Sequence, residues 1–160
     1  MIRSAALSAF ALFVPALAQA QALPVVNGER SRLFTAAEIN ALPHETVRVS
    51  FHGAAHIYEG VPLGRLLADV GAPSGESMRG KALTLALRAS ASDGYHVVLS
   101  LAETDPAMRR ARVIVADREA GAPLSREVGP LRLVVEGDLK PARSVRQLAR
   151  LEILDLATPK

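Results

Sequence analysis

The stretch VSFHGAAHIYEGVPLGRLLADVG, Val49 to Gly71, sets two histidines, His52 and His56, around Gly53 and then runs into a punctuated apolar stripe. Upstream of the glycine, Val47, Val49 and Phe51 alternate with Arg48 and Ser50, so Thr46 to Phe51 reads as a half-buried strand that Gly53 interrupts. Downstream, Pro62 stands where a first-turn proline is tolerated. Val61, Leu63, Leu66, Leu67 and Val70 recur at i, i+3 and i+4, and Gly71 is placed to close the helix. A strand end, a bend and a short amphipathic helix are expected in that order.

Outward from this segment the pattern stays mixed. Thr35 and Glu38 form a capping box for a short helix to about Ala41, ended before Pro43. Leu83, Leu85 and Leu87 alternate with polar or small residues, and Tyr95 to Leu99 follows Asp93-Gly94, which predicts a strand, a tight turn and a strand. Ser100 to Glu103 reads as a second capping box, opening a turn that cannot pass Asp105-Pro106. Arg112 to Ala116 has the look of a buried strand, Asp117 to Arg126 turns the chain, and Leu131 to Val135 returns it. The tail, Val145 to Leu156, reads as a helical turn leading into a final strand. Short helices scattered among many strands predict an α+β fold with mixed β-sheets rather than a regular βα alternation.

Composition narrows the function. Residues 1–22 carry one early charge, Arg3, an apolar run and small residues near Ala20, the signature of a signal peptide and hence of a periplasmic or secreted protein. The run is too short to span a bilayer, so no membrane span is expected in the mature form, a single domain over 23–160. Removing Arg3 leaves 18 basic against 16 acidic residues, an excess of two that does not argue for nucleic acid. There are no cysteines, so no disulfide supports the fold and no thiolate can serve as metal ligand or nucleophile. His52 and His56 invite a metal, but no acidic neighbour or third histidine lies close in sequence, and the expectation is no metal site. Neither a G-x-S-x-G elbow, a His-Glu-x-x-His pair nor a phosphate loop is present.

The order of the remaining motifs is the most informative feature: His52-Gly53, Tyr58-Glu-Gly-Val-Pro-Leu63 with Leu66-Leu67, Asp93-Gly-Tyr95, Gly129-Pro-Leu-Arg-Leu-Val-Val135 and Lys140-Pro-Ala-Arg143. This succession, over roughly Thr35 to Leu156, resembles the molybdopterin-binding domain of the sulfite oxidase family, especially its short exported single-domain members. The resemblance implies a molybdopterin site contacted by His52, Gly53, Tyr58, Tyr95, Lys140 and Arg143, the last two matching a Lys-x-x-Lys segment that helps hold the anionic cofactor. It also implies a departure. Relatives end the strand in Cys-x-Gly-Asn, whose thiolate binds molybdenum; here Phe51 and Ala54 stand at those places, and molybdenum ligation has no donor. Tyr58, Glu136 and Ser144 also depart from the family pattern. Arg118 and Arg132 are expected to project from strand ends.

Three functions follow as expectations. The leading one is a noncatalytic exported module that binds a small anion or a pterin. The alternatives are a molybdopterin-dependent oxidoreductase that keeps its cofactor without a protein thiolate, and an interaction protein with no small-molecule site.

Overall fold

The computed structural model describes residues 22–51 and 53–157. The expected leader, apart from Ala22, and the candidate His52 lie outside the described residues. The chain is mostly β, with two mixed or antiparallel sheets and short helices, the α+β architecture that the resemblance implies.

The first sheet begins with strands β1 (Leu23–Asn27) and β2 (Arg30–Phe34), a hairpin turning at Gly28, whose φ of +57° suits glycine. Strands β5 (Leu85–Ala91) and β6 (His96–Ser100) form the expected hairpin across Asp93-Gly94. The last strand, β10 (Leu148–Asp155), runs between the two hairpins, parallel to β1 and antiparallel to β5. The expected helical turn before it lies earlier, as a 3-10 turn at Pro141–Arg143.

The second sheet holds β3 (Glu45–Phe51), β4 (Ala54–Pro62), β7 (Val113–Glu119), the two-residue β8 (Ala122–Pro123) and β9 (Arg132–Val135), which pairs with β7. The bend expected at Gly53 is a full reversal: Gly53 adopts φ +80°, and Ala54 pairs back onto Phe51. His56 therefore belongs to a second strand, opposite Val49.

Both sheets and helix α2 (Leu63–Ala68) feed one main core, in which Leu66, Leu87, Leu133 and Leu151 are wholly buried. Helix α1 (Ala36–Ala41) carries the expected capping box: Glu38 N–H donates to Thr35 Oγ1 at 3.2 Å, and the Glu38 carboxylate accepts from Thr35 N–H at 2.8 Å.

Four local expectations are corrected. Pro62 is the N-cap of α2 and the last residue of β4, because the strand pairing with β7 extends through it. Leu83 is not in a strand; it sits in the 3-10 turn Gly80–Thr84 and is exposed. Tyr95 precedes β6 instead of opening it, because its N–H donates to Asp93 Oδ1 within the turn. Ser100 to Glu103 is no capping box: Leu101 is the N-cap of the turn Ala102–Thr104, and Glu103 pairs with Arg143.

Candidate functional site

Along a strand, successive side chains alternate between the two faces. In the second sheet, Val61, Val115 and Leu133 face the main core. The opposite face carries Val47, Val49 and Phe51 from β3, Tyr58 from β4, Ile114 and Ala116 from β7, and Val134 from β9. Arg132 shares the parity of Val134 and so belongs to that second face. It stands beside Ala116 in register, and Ala116 stands beside Gly60. These two small residues leave the floor low enough for a guanidinium to lie across the sheet. Gly60 has no freedom to be larger, because a Cβ there would run into the Val115 carbonyl and the Ala116 backbone.

Arg132 is the central feature of this face. Only 7% of it is exposed, yet among the described residues no carboxylate forms an ion pair with it. Its Nη1 donates to the Tyr58 hydroxyl at 2.7 Å, and its guanidinium carbon lies 5.0 Å from the Tyr58 ring and 5.5 Å from the Phe51 ring. Its Nε is buried without a hydrogen-bond partner among the described residues. Burial lowers the Arg132 pKa, as does nearby Arg146, while Tyr58 and Glu119 oppose the shift. The Tyr58 hydroxyl is pushed up, again by burial first, with Arg132 opposing and Glu119 reinforcing. An arginine stays charged under such conditions, so this is a desolvated cation short of acceptors.

Arg132 lines a cleft of about 1370 Å³. Phe51, His56 and Tyr58 form its floor with Arg132; the Asp93 to Tyr95 turn and the segment from Gly137 to Arg146 wall it. Arg48, Lys140 and Arg146 add three more cations, none of which makes an ion pair among the described residues. Of the two acids at the wall, Asp138 is already engaged by Arg143. The field in the cleft is therefore positive, suited to an anion.

The sequence-predicted residues separate on this geometry. Gly53, Tyr58, Tyr95 and Lys140 line the cleft. Tyr95 also straps it, its hydroxyl donating to the Ala142 carbonyl at 2.6 Å. Arg143 does not line it. Its guanidinium donates to both Asp138 oxygens at 2.9 and 2.7 Å and to Glu103 at 2.9 Å, contacts that raise its pKa, the Asp138 bonds most. It holds the wall that presents Lys140. Glu136 is likewise outside the cleft, clasping Arg112, and Ser144 Oγ accepts from the Val135 N–H at 3.1 Å. Sequence reasoning missed Arg132 as a site residue. The signal was there: a lone charge inside the apolar run Leu131 to Val135.

The three described histidines do not gather. His44 bridges the Leu42 carbonyl and Asp117, His96 lies exposed near the Gly94 carbonyl, and His56 bonds Glu119. Among the described residues no three metal-ligating side chains converge. The fit to a molybdopterin group is thus divided. The cations and the orphaned Arg132 Nε suit its anionic organic part. The metal has no thiolate donor, because the chain has no cysteine, and Phe51 in the cleft is a buried phenyl ring under a guanidinium. No helix among the described residues is long and apolar enough to cross a membrane.

No curated protein matches the chain. The family model for the oxidoreductase molybdopterin binding domain matches residues 19–160, nearly the whole sequence, with the two-sheet fold and the cationic cleft inside the matched span. On that match the chain belongs to the oxidoreductase molybdopterin-binding domain family.

Proposed function

We propose that this protein is a noncatalytic member of the family that binds a small organic anion, a phosphorylated pterin being the chemistry its cleft fits best. The observation that carries the reading is Arg132: a buried guanidinium whose Nε has no partner, and which pairs with no carboxylate, among the described residues is costly to fold around, a cost offset when an oxyanion accepts from it. Lys140, Arg146 and Arg48 supply the outer charge. Oxygen-atom transfer of the sulfite oxidase kind needs a metal centre held at the floor, and Phe51 offers no ligand. The signal-peptide pattern of residues 1–22 supports a periplasmic or secreted setting for this binding role.

Thermal denaturation with phosphorylated pterins, phosphates and sulfonates tests the reading. A ligand at 100 times its Kd stabilises by about 2.7 kcal/mol, a shift readily seen. The expected result is stabilisation by at least one phosphorylated pterin and its loss in Arg132→Met. Stoichiometric molybdenum in protein matured with the cofactor available, together with turnover of an oxyanion, overturns it in favour of a catalytic member.

A further inference from the structure

We propose that His56 is the second anchor of the cleft, a protonation-dependent partner of Arg132, so that the site takes a doubly charged oxyanion most tightly when the imidazole is cationic. The inference rests on the anion-binding reading above and adds to it a ligand charge and a switch.

His56 lies two residues before Tyr58 on β4 and lines the same cleft. Its Nδ1 is 2.6 Å from Glu119 Oε1, which fixes the ring and leaves Nε2 without a protein partner among the described residues. The ring stacks on Tyr58, centroids 6.0 Å apart and planes 11° apart, and lies 5.7 Å from the Phe51 ring. Arg132 leans on the same two rings. Two cation-capable groups are therefore fixed to one aromatic pair, and each keeps a nitrogen without a hydrogen-bond partner among the described residues. Neither is a charge on a loose stem, which distinguishes them from Lys140.

The switch follows from imidazole chemistry. A neutral ring that donates from Nδ1 to Glu119 presents a lone pair at Nε2, which repels an oxyanion. Protonation replaces that lone pair with an N–H, turning an acceptor into a charged donor while the Glu119 contact becomes an ion pair. The other charged or titratable groups around the ring are Glu119 from β7, Arg132 from β9, Arg48 from β3, Tyr58 from β4 itself, and Asp93, Asp138, Lys140 and Arg146 across the cleft. Carboxylate, phenol, guanidinium and ammonium groups ordinarily titrate outside about pH 5 to 8, whereas imidazole titrates within it. His52 follows Phe51 in sequence and needs its own control.

Sodium sulfate is the probe, because it keeps its double charge throughout this range. Calorimetry on the wild type is expected to show sulfate affinity falling by about tenfold between about pH 5.5 and 8, the scale of one charge-assisted hydrogen bond. His56→Gln, which preserves an amide toward Glu119 without the charge, is expected to be flat with pH and as weak as the wild type at high pH. His52→Gln is expected to keep the wild-type slope. Glu119→Gln keeps the imidazole and is expected to keep a pH dependence that His56→Gln lacks, a readout that mere misfolding would not produce. A His56→Gln protein with the wild-type pH slope overturns the inference, and so does a wild type that ignores sulfate at low pH. The phosphorylated-pterin shift then tells whether the anion-binding reading falls with it: a shift retained in the wild type leaves that reading standing, and no shift removes both.

Discussion

Leu133 and Arg132 are neighbours on one four-residue strand, both buried, and they face opposite sides of the same sheet. On the inner side, Leu133 joins Val61, Val113 and Val115 against hydrocarbon from the other sheet and from α2. On the outer side, Arg132 lies over Phe51 and Tyr58, with a nitrogen that no atom among the described residues satisfies. Burial of the first kind stabilises a fold, at about 25 cal/mol per Å² of apolar surface removed from water. Burial of the second kind costs stability unless something outside the chain completes it. The inner face is where this protein holds itself together, and the outer face is where it departs from self-sufficiency. A local conflict of that sort points to a site.

The contrast can be broken by a pair of substitutions. Leu133→Ala removes a fully buried side chain from the main core and is expected to cost about 2–5 kcal/mol in urea unfolding. Arg132→Met keeps the length and removes the desolvated charge, so it is expected to be neutral or stabilising by about 1 kcal/mol. If Arg132→Met costs as much as Leu133→Ala, the arginine is a structural element and the outer face is simply a second core.

Ligand linkage sharpens the same comparison. A phosphorylated pterin at 100 times its Kd is expected to raise the stability of the wild type, and of a protein conservatively altered at Leu133, by the same amount of about 2.7 kcal/mol. Arg132→Met is expected to show no such increment. An equal increment in all three proteins would place the ligand away from the outer face.

A third test uses an arginine that does have a partner. Arg112 donates to Glu136 from Nε at 2.9 Å, from Nη2 at 2.7 Å and from its backbone N–H at 2.9 Å. The Arg112 side-chain hydrogen bond is the main reason the Glu136 carboxyl titrates below the ordinary carboxylate range, with burial opposing. A carboxylate depressed in the folded state contributes stability that is present above its unfolded pKa and lost as pH falls through its folded value. Glu136→Gln is therefore expected to cost about 1 kcal/mol near neutral pH, the scale of a partly exposed pair. The difference from wild type should shrink in acid below about pH 4. Ligand affinity at neutral pH should be unchanged. A loss of affinity would mean that the clasp also shapes the cleft wall.

How far the sequence could be read follows from which interactions are local. The β3 alternation, the Thr35 capping box and the Asp93-Gly94 turn are short-range patterns and appear where their residues predict them, whereas of the α2 stripe only Leu63, Leu66 and Leu67 are helical, Val61 lying in β4 and Val70 past the C-cap Asp69. Strand β4 is not legible, because Ala54 to Glu59 (AAHIYE) mix small, polar, aliphatic and aromatic residues in no clear period. Only the reversal at Gly53 and the pairing with β7 make them a strand. Ser100 to Glu103 misled because Glu103 is drawn to Arg143, forty residues away in sequence, over its local backbone. The site divided along the same line. Motif order gave Tyr58, Tyr95 and Lys140, which line the cleft, but a motif cannot tell that Arg143 is occupied by Asp138 while Arg132 is not. That distinction depends on which acids the fold brings near each arginine.

The smallest expected effect concerns Tyr95, where packing and ligand access meet. Its ring is half exposed, and its hydroxyl reaches across from the β5–β6 turn to the Ala142 carbonyl, joining the two walls of the cleft. Tyr95→Phe keeps the ring and deletes one hydrogen bond whose acceptor water can reach, so the loss of stability is expected to stay near 0.5 kcal/mol, at the low end for a single bond. The strap should matter more to kinetics than to equilibrium, since it fixes the separation of walls that a ligand must pass between. Stopped-flow binding of a phosphorylated pterin is expected to show a faster dissociation rate in Tyr95→Phe with an association rate little changed, because the dissociation rate is where most single contacts register. Equal rates in the two proteins would show that the walls are held by the Arg143 bracket alone, and that only the outer sheet face, not its strap, sets residence in the cleft.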